Sequence, residues 1–281
     1  MGRRQAVRQR VLVPPSLGSN PSGPVFTGSF ALSSGPLLVF DFDGVLIDGM
    51  PEYWWSARRA ALGLEPALAL PEQAPLAFSR LRPRIHQGWE MVLLAAQMAS
   101  PSFDLAAVRA DYEGCLAAGL QQWGWRPPQL QAALEAVRRQ ALAADPAAWL
   151  ALHRFYPGVE ERLRQLGRER VPWMVLTTKG GAFAARLLEA AGLVPAAVYG
   201  HEQGSKPAVL LQLRSQGRPL WFVEDRRPTL ELVRATPGLD GVRCFLALWG
   251  YLAEGDGEGL QSLGIQPLDP ARFAAPLAQW I

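Results

Sequence analysis

At 281 residues the chain is long enough to bury a full α/β core, with room for a second, smaller module. Nearly half its residues are apolar and about a fifth charged, and no apolar run approaches the ~20 residues of a membrane helix, so no membrane partner is expected. The sequence pI of about 9.1 invites a nucleic-acid reading. However, residues 1–40 hold Arg3, Arg4, Arg8 and Arg10 and no acid, giving +4 against +3 for the whole chain. The basicity is therefore a property of the tail, residues 41–281 are near neutral, and no nucleic-acid partner is expected. Cys115 and Cys244 lie far apart with no CxxC pair and no Cys/His cluster. A disulfide framework or zinc site is disfavoured, and a reducing, cytoplasmic setting is expected.

Residues 1–34 are rich in Ser, Gly and Pro and lack hydrophobic periodicity. They read as a disordered basic tail, an early start codon, or a targeting peptide, since Arg- and Ser-rich, acid-poor starts have that character. A secretory signal is disfavoured because no long apolar stretch follows the arginines. Leu37 to Phe40 then form an apolar run that stops at Asp41, as a parallel strand buried on both faces does. Residues 51–153 change character. Ala/Leu-rich segments of helical period (residues 53–64, 87–98, 104–120 and 128–144), punctuated by Pro, predict an all-helical insertion.

After the insertion, strands and helices alternate. A helix is predicted over 159–169, a strand over 171–177, a helix over 182–192 and a short strand at 197–200. A helix from about Pro207, a strand over 219–225, a helix over Pro228–Ala235 and a strand over 242–250 complete the series. Such alternation implies βαβ units, so residues 35–50 and 154–281 are expected to form a Rossmann-like α/β core, a parallel sheet with helices on both faces. Ligands bind such sheets at the carboxyl ends of the strands. The groups there are Asp41 and Asp43, then Thr177, Thr178 and Lys179, then Lys206 at a helix start, and Glu224 with Asp225. Of 28 basic residues only Lys179 and Lys206 are lysine, and both fall at these ends. An arginine-using chain that keeps lysine here suggests a need for a compact ammonium, with chance placement as the alternative.

These segments resemble the haloacid dehalogenase superfamily of phosphotransferases. DFDGVLID, beginning at Asp41, looks like its first motif, and Thr177 after VPWMVL like the second. Lys206 in GSKP looks like the third, FVED ending at Asp225 like the fourth, and the helical insertion falls where a C1-type cap is expected. The resemblance spans residues 36–250 and implies phosphoglycolate phosphatase- or β-phosphoglucomutase-like chemistry. A small phosphorylated metabolite would be hydrolysed with Mg²⁺, with Asp41 as nucleophile and Asp43 as general acid and base. Thr177 and Lys206 would hold the phosphoryl group, with Thr178 and Lys179 as further substrate contacts. Asp41, Asp225, Glu224 and the Asp43 carbonyl would serve the metal. Dehalogenases typically lack an acid at the place of Asp43, which favours phosphoryl transfer.

One position departs from the pattern. Many members carry another acid four residues after the fourth-motif Asp, where this chain has Thr229. The Glu224–Asp225 pair resembles the phosphomutase variant, so a mutase stays open as an alternative, as does a non-catalytic binding protein. Taken alone, Asp41/Asp43 could be a solvated strand-end turn, and Glu224–Asp225 a helix-dipole pair. Arg226 and Arg227 read as surface or subunit contacts. His86, His153 and His201 read as structural residues, and the insertion's tryptophans as core with one or two at a pocket. Arg58, Arg59, Arg80, Arg82 and Arg84 read as mostly solvated, one of them reaching an anionic substrate.

Overall fold

The computed structural model describes Val25–Phe26, residues 35–215 and residues 217–281. The expected tail falls outside these residues, apart from β1 (Val25–Phe26), which pairs antiparallel with β6 (Ala197–Tyr199). Six parallel strands follow. In spatial order they are β6, β5 (Trp173–Leu176), β2 (Leu37–Phe40), β7 (Leu220–Glu224), β8 (Arg243–Ala247) and β9 (Ile265–Leu268). Numbered along the chain these strands stand in the order 3-2-1-4-5-6, which is the Rossmann order. The topology reverses at β2, which is flanked by β5 and β7 with Leu38 opposite both Trp173 and Trp221.

Alternation along each central strand supplies both layers of the core. Leu38 and Phe40 of β2, with Trp221 and Val223 of β7, face α8 (Val159–Arg168) and α9 (Gly181–Ala190). Leu37 and Val39, with Leu220 and Phe222, face α10 (Lys206–Arg214) and α11 (Arg227–Ala235). Burial on both faces explains why these strands read as unbroken apolar runs. The strand β9 was not predicted. Its Pro267 removes a ladder donor, which an edge strand tolerates.

The chain leaves the sheet through β3 (Ile47–Asp48) and returns through β4 (Arg154–Phe155), which pair antiparallel. Between them lie α1 (Met50–Leu64), α2 (Leu76–Leu81), α3 (Gly88–Gln97), α4 (Leu105–Ala110), α5 (Tyr112–Trp123), α6 (Pro127–Ala144) and α7 (Pro146–Leu150). This helical insertion has its own core, which includes Trp54, Phe78, Leu93, Leu130 and Leu134. Trp149 at its far end instead packs into the sheet's core.

Candidate active site

Each strand that meets the reversal delivers polar groups just past its carboxyl end. After β2 the Asp41 amide donates to the Val223 carbonyl (2.8 Å), and the Leu46 and Ile47 amides both bond back to the Phe42 carbonyl (2.9 Å each). That turn lifts Asp41 and Asp43 out of the core. Gly44 sits in it at φ +96°, and a Cβ there would lie 1.9 Å from Asp225 Oδ2. A Cβ on Gly250 would fall 2.3 Å from Asp225 Cβ. Two glycines therefore admit the Asp225 carboxylate, which also accepts the Tyr251 amide (2.8 Å).

Asp41, Glu224 and Asp225 converge, with one carboxylate oxygen of each lying within 4.8 Å of the others. All three are buried. Burial, then the neighbouring Glu224, pushes Asp41 up to about 7 against the pull of Lys206. Burial and Asp41 raise Asp225 to about 6, and burial raises Glu224 as well. Lys206, at the first position of α10, sets Nζ 2.8 Å from Asp41 Oδ1 and 2.6 Å from Glu224 Oε2. Burial lowers its pKa, but the two carboxylates more than offset that and keep it charged. Among the described residues no donor is well aligned on Asp41 Oδ1, despite the close ammonium.

This donor set fits a hard divalent cation. It consists of carboxylate oxygens only, crowded enough to resist joint ionisation, with one oxygen left short of donors and a glycine cradle around the last acid.

Asp43 lies outside that trio. Its Oδ1 accepts the Tyr53 hydroxyl (2.7 Å) and Lys179 Nζ (3.1 Å), while among the described residues Oδ2 has only Lys179 at 3.4 Å. Burial works against its charge, but Lys179, the Tyr53 hydroxyl, Arg82 and Arg138 together hold its pKa below the ordinary carboxylate value. Thr177 is buried after β5, with its amide on the Tyr199 carbonyl (2.9 Å) and its Oγ1 accepting the Lys179 amide (3.1 Å).

A cleft of about 460 Å³ opens beside the acids. Its core wall includes Thr177, Thr178, Lys206 and Arg226, and its opposite wall includes His86, Trp89 and Gln131 from the insertion. No acid lines it. A smaller recess holds Asp41, Asp43, Asp225, Arg82 and Tyr251. Across the rim His201 Nε2 meets Glu135 Oε1 of α6 at 2.7 Å, a bond that raises the histidine's pKa.

Placement thus differs from expectation at several residues. Lys179 does not line the cleft. It is 3% exposed and turns to Asp43 and to Glu52 (3.7 Å). Arg226 faces the cleft, while Arg227 is spent on Glu231 (2.8 Å) and on carbonyls of residues 255, 256 and 258. Of the five insertion arginines named from sequence, Arg82 is the one at the recess, stacked over the rings of Tyr251 (4.3 Å) and Tyr53 (5.0 Å). Thr229 fills the place of the extra acid and is within 3.4 Å of an Arg226 Nη.

Sequence reasoning missed Glu52 and Tyr53. Their signal is spacing. Positions 52, 56 and 60, and 53, 57 and 61, form the buried stripe of α1, so an acid at 52 faces inward.

The fold and these groups put a cluster of acids and a buried ammonium at the topological switch point of an α/β enzyme fold. Residues 36–227 match the haloacid dehalogenase-like hydrolase family, and the chain belongs to it. Among solved structures, it is similar to a predicted phosphoglycolate phosphatase from Haemophilus somnus 129pt. The identity is 18% and the TM-score 0.50, with 79% of this chain and 89% of that one covered. It is also similar to a predicted phosphatase from Clostridium acetobutylicum, at 14% identity and TM-score 0.53, covering 85% and 95%. No curated protein matches at the sequence level.

Proposed function

We propose that the chain is a Mg²⁺-dependent phosphatase acting on a small phosphorylated metabolite through an aspartyl-phosphate on Asp41. The observation that carries this reading is the Lys206 ammonium set between Asp41 and Glu224, with Asp225 completing the trio. Phosphatase names among the structural neighbours agree with it. Asp41, Asp225 and Glu224 would hold the metal, with the Asp43 carbonyl as a further ligand. A bound Mg²⁺ supplies positive charge against the transferring phosphoryl oxygens.

Asp41 attacks phosphorus as the ester P–O bond breaks; Asp43, ionised in the free site, takes up a proton from solvent as the anionic substrate binds and gives it to the leaving oxygen. Water then attacks the aspartyl-phosphate, gives a proton to Asp43, and releases inorganic phosphate and free Asp41. Thr177 donates a hydrogen bond to a phosphoryl oxygen, and Lys206 offsets charge on the nucleophile and the phosphoryl group. Thr178 and Arg226 reach the substrate from the cleft wall. Residues 51–153 act as a cap, excluding water and choosing the substrate body. Among the described residues both cysteines are unpaired and no helix is long and apolar enough to cross a membrane.

A phosphomonoester panel assayed with Mg²⁺ tests this. Wild type should release inorganic phosphate and Asp41→Asn should not. Equal behaviour of the two proteins would sink the reading. The Glu224–Asp225 pair and Thr229 favour a phosphomutase as the second reading, which predicts transfer between positions of one substrate with little phosphate released.

A further inference from the structure

Asp43 is gripped from behind by charges that no direct chemistry requires. Lys179 Nζ contacts its carboxylate and also lies 3.7 Å from Glu52 Oε2. Glu52, fully buried on α1, takes a two-pronged bond from Arg138 of α6, Nε to Oε1 at 2.7 Å and an Nη to Oε2 at 2.8 Å. Ser56 donates to Glu52 Oε1 as well. His153 is neutral, held near 4 by burial and then by Lys179, so Asp43, Glu52, Lys179 and Arg138 form a set with no net charge. Tyr53, the residue after Glu52, places its hydroxyl on Asp43 Oδ1. Two donors on Oδ1 and one long contact on Oδ2 make the two oxygens unequal. Asp43 faces the recess that also holds Asp41.

We infer that Lys179, Tyr53 and the Glu52–Arg138 pair behind them are positioning residues that fix the Asp43 side chain so that Oδ2 is the oxygen trading a proton with the leaving group. The inference rests on the phosphatase reading. It also makes the cap part of the acid's placement. Tyr53 and Glu52 belong to α1 and Arg138 to α6, so an undocked cap would leave Asp43 with Lys179 alone.

Leaving-group dependence separates positioning from general damage. An alkyl phosphate leaves as a poor alkoxide that needs a proton, whereas p-nitrophenolate leaves without one. Comparing kcat/KM confines the measurement to steps through the first irreversible one, before hydrolysis of the aspartyl-phosphate. Lys179→Met and Tyr53→Phe should each lower the alkyl-to-p-nitrophenyl ratio of kcat/KM by about tenfold or more, within the range general acids supply. Both should also give a p-nitrophenolate burst, because the same misplaced oxygen must serve as base in the second step. Tyr53→Phe keeps the ring and its contacts, so it carries the test if Lys179→Met fails to fold. A ratio that stays within about twofold of wild type in folded Tyr53→Phe, with both esters losing equally or neither losing, overturns the inference while the phosphatase reading stands. Wild-type protein inactive on both esters overturns the phosphatase reading first.

Discussion

Replacing Asp41 by Asn should stabilise the metal-free protein, and by more at pH 8 than at pH 5. In the fold Asp41 is raised to about 7 from an ordinary 3.8, first by burial and then by Glu224. Between those values the folded protein holds a proton that the unfolded chain has released. The stability Asp41 contributes is therefore intact below about pH 4 and is lost as pH rises toward 7. Asn does not titrate, so the gap between variant and wild type widens over this window. From pH 5 to the folded value near 7 is about two pK units, or about 2–3 kcal/mol.

Asp225 adds to the effect with the same sign, because part of its upward shift comes from Asp41. His86 and His153, both lowered to about 4 by burial first, oppose the trend in either protein. They cancel in the difference, which is why the paired variant is needed. Asp43 and Glu52 are both lowered, and their losses come at more acid pH. The assay is urea unfolding followed by tryptophan fluorescence, in chelator, at pH 5 and pH 8. A gap that stays constant or narrows toward pH 8 would refute the assignment of Asp41 to a crowded, cation-seeking cluster.

Three further outcomes are expected. Arg138→Met leaves Glu52 with one buried negative charge in excess and should cost about 3–5 kcal/mol, while Arg138→Met with Glu52→Gln restores neutrality and recovers most of it. Thermal melts of the single and double variants check this, and a double variant no better than the single contradicts the pairing. Gly44→Ala must push aside the Asp225 carboxylate, so the Mg²⁺ needed for half activity should rise about tenfold or more, read from Mg²⁺ titrations of phosphate release. Wild-type Mg²⁺ affinity should also strengthen from pH 5 to pH 7 and level off above, because the cation displaces a proton from Asp41; calorimetric titration across that range would expose a flat or inverted profile.

How much was legible in the sequence differs by element. The strands β2, β5 and β7 were readable because burial on both faces leaves an unbroken apolar run, a local signature. The place of the acids followed, since a strand of this kind must end in a turn that ejects the next polar residues. Both lysines were flagged by their rarity, yet nothing local distinguishes Lys206, which turns to Asp41, from Lys179, which turns to Asp43 and Glu52. Arg226 and Arg227 are neighbours with opposite surroundings, set by where α11 begins and which carbonyls lie beside it.

The sequence by itself therefore determined the five strands β2, β5, β6, β7 and β8, their open carboxyl edge and the inventory of charged groups there, because burial patterns are written in neighbouring residues. Only the tertiary structure decided which charge meets which. Glu52 and Arg138 are 86 residues apart and meet through the packing of α1 on α6. An acid in a first helical turn looks the same in sequence whether it complements a dipole in water or anchors a buried ion pair. Side-chain direction across packed elements, which no local pattern encodes, separates the two.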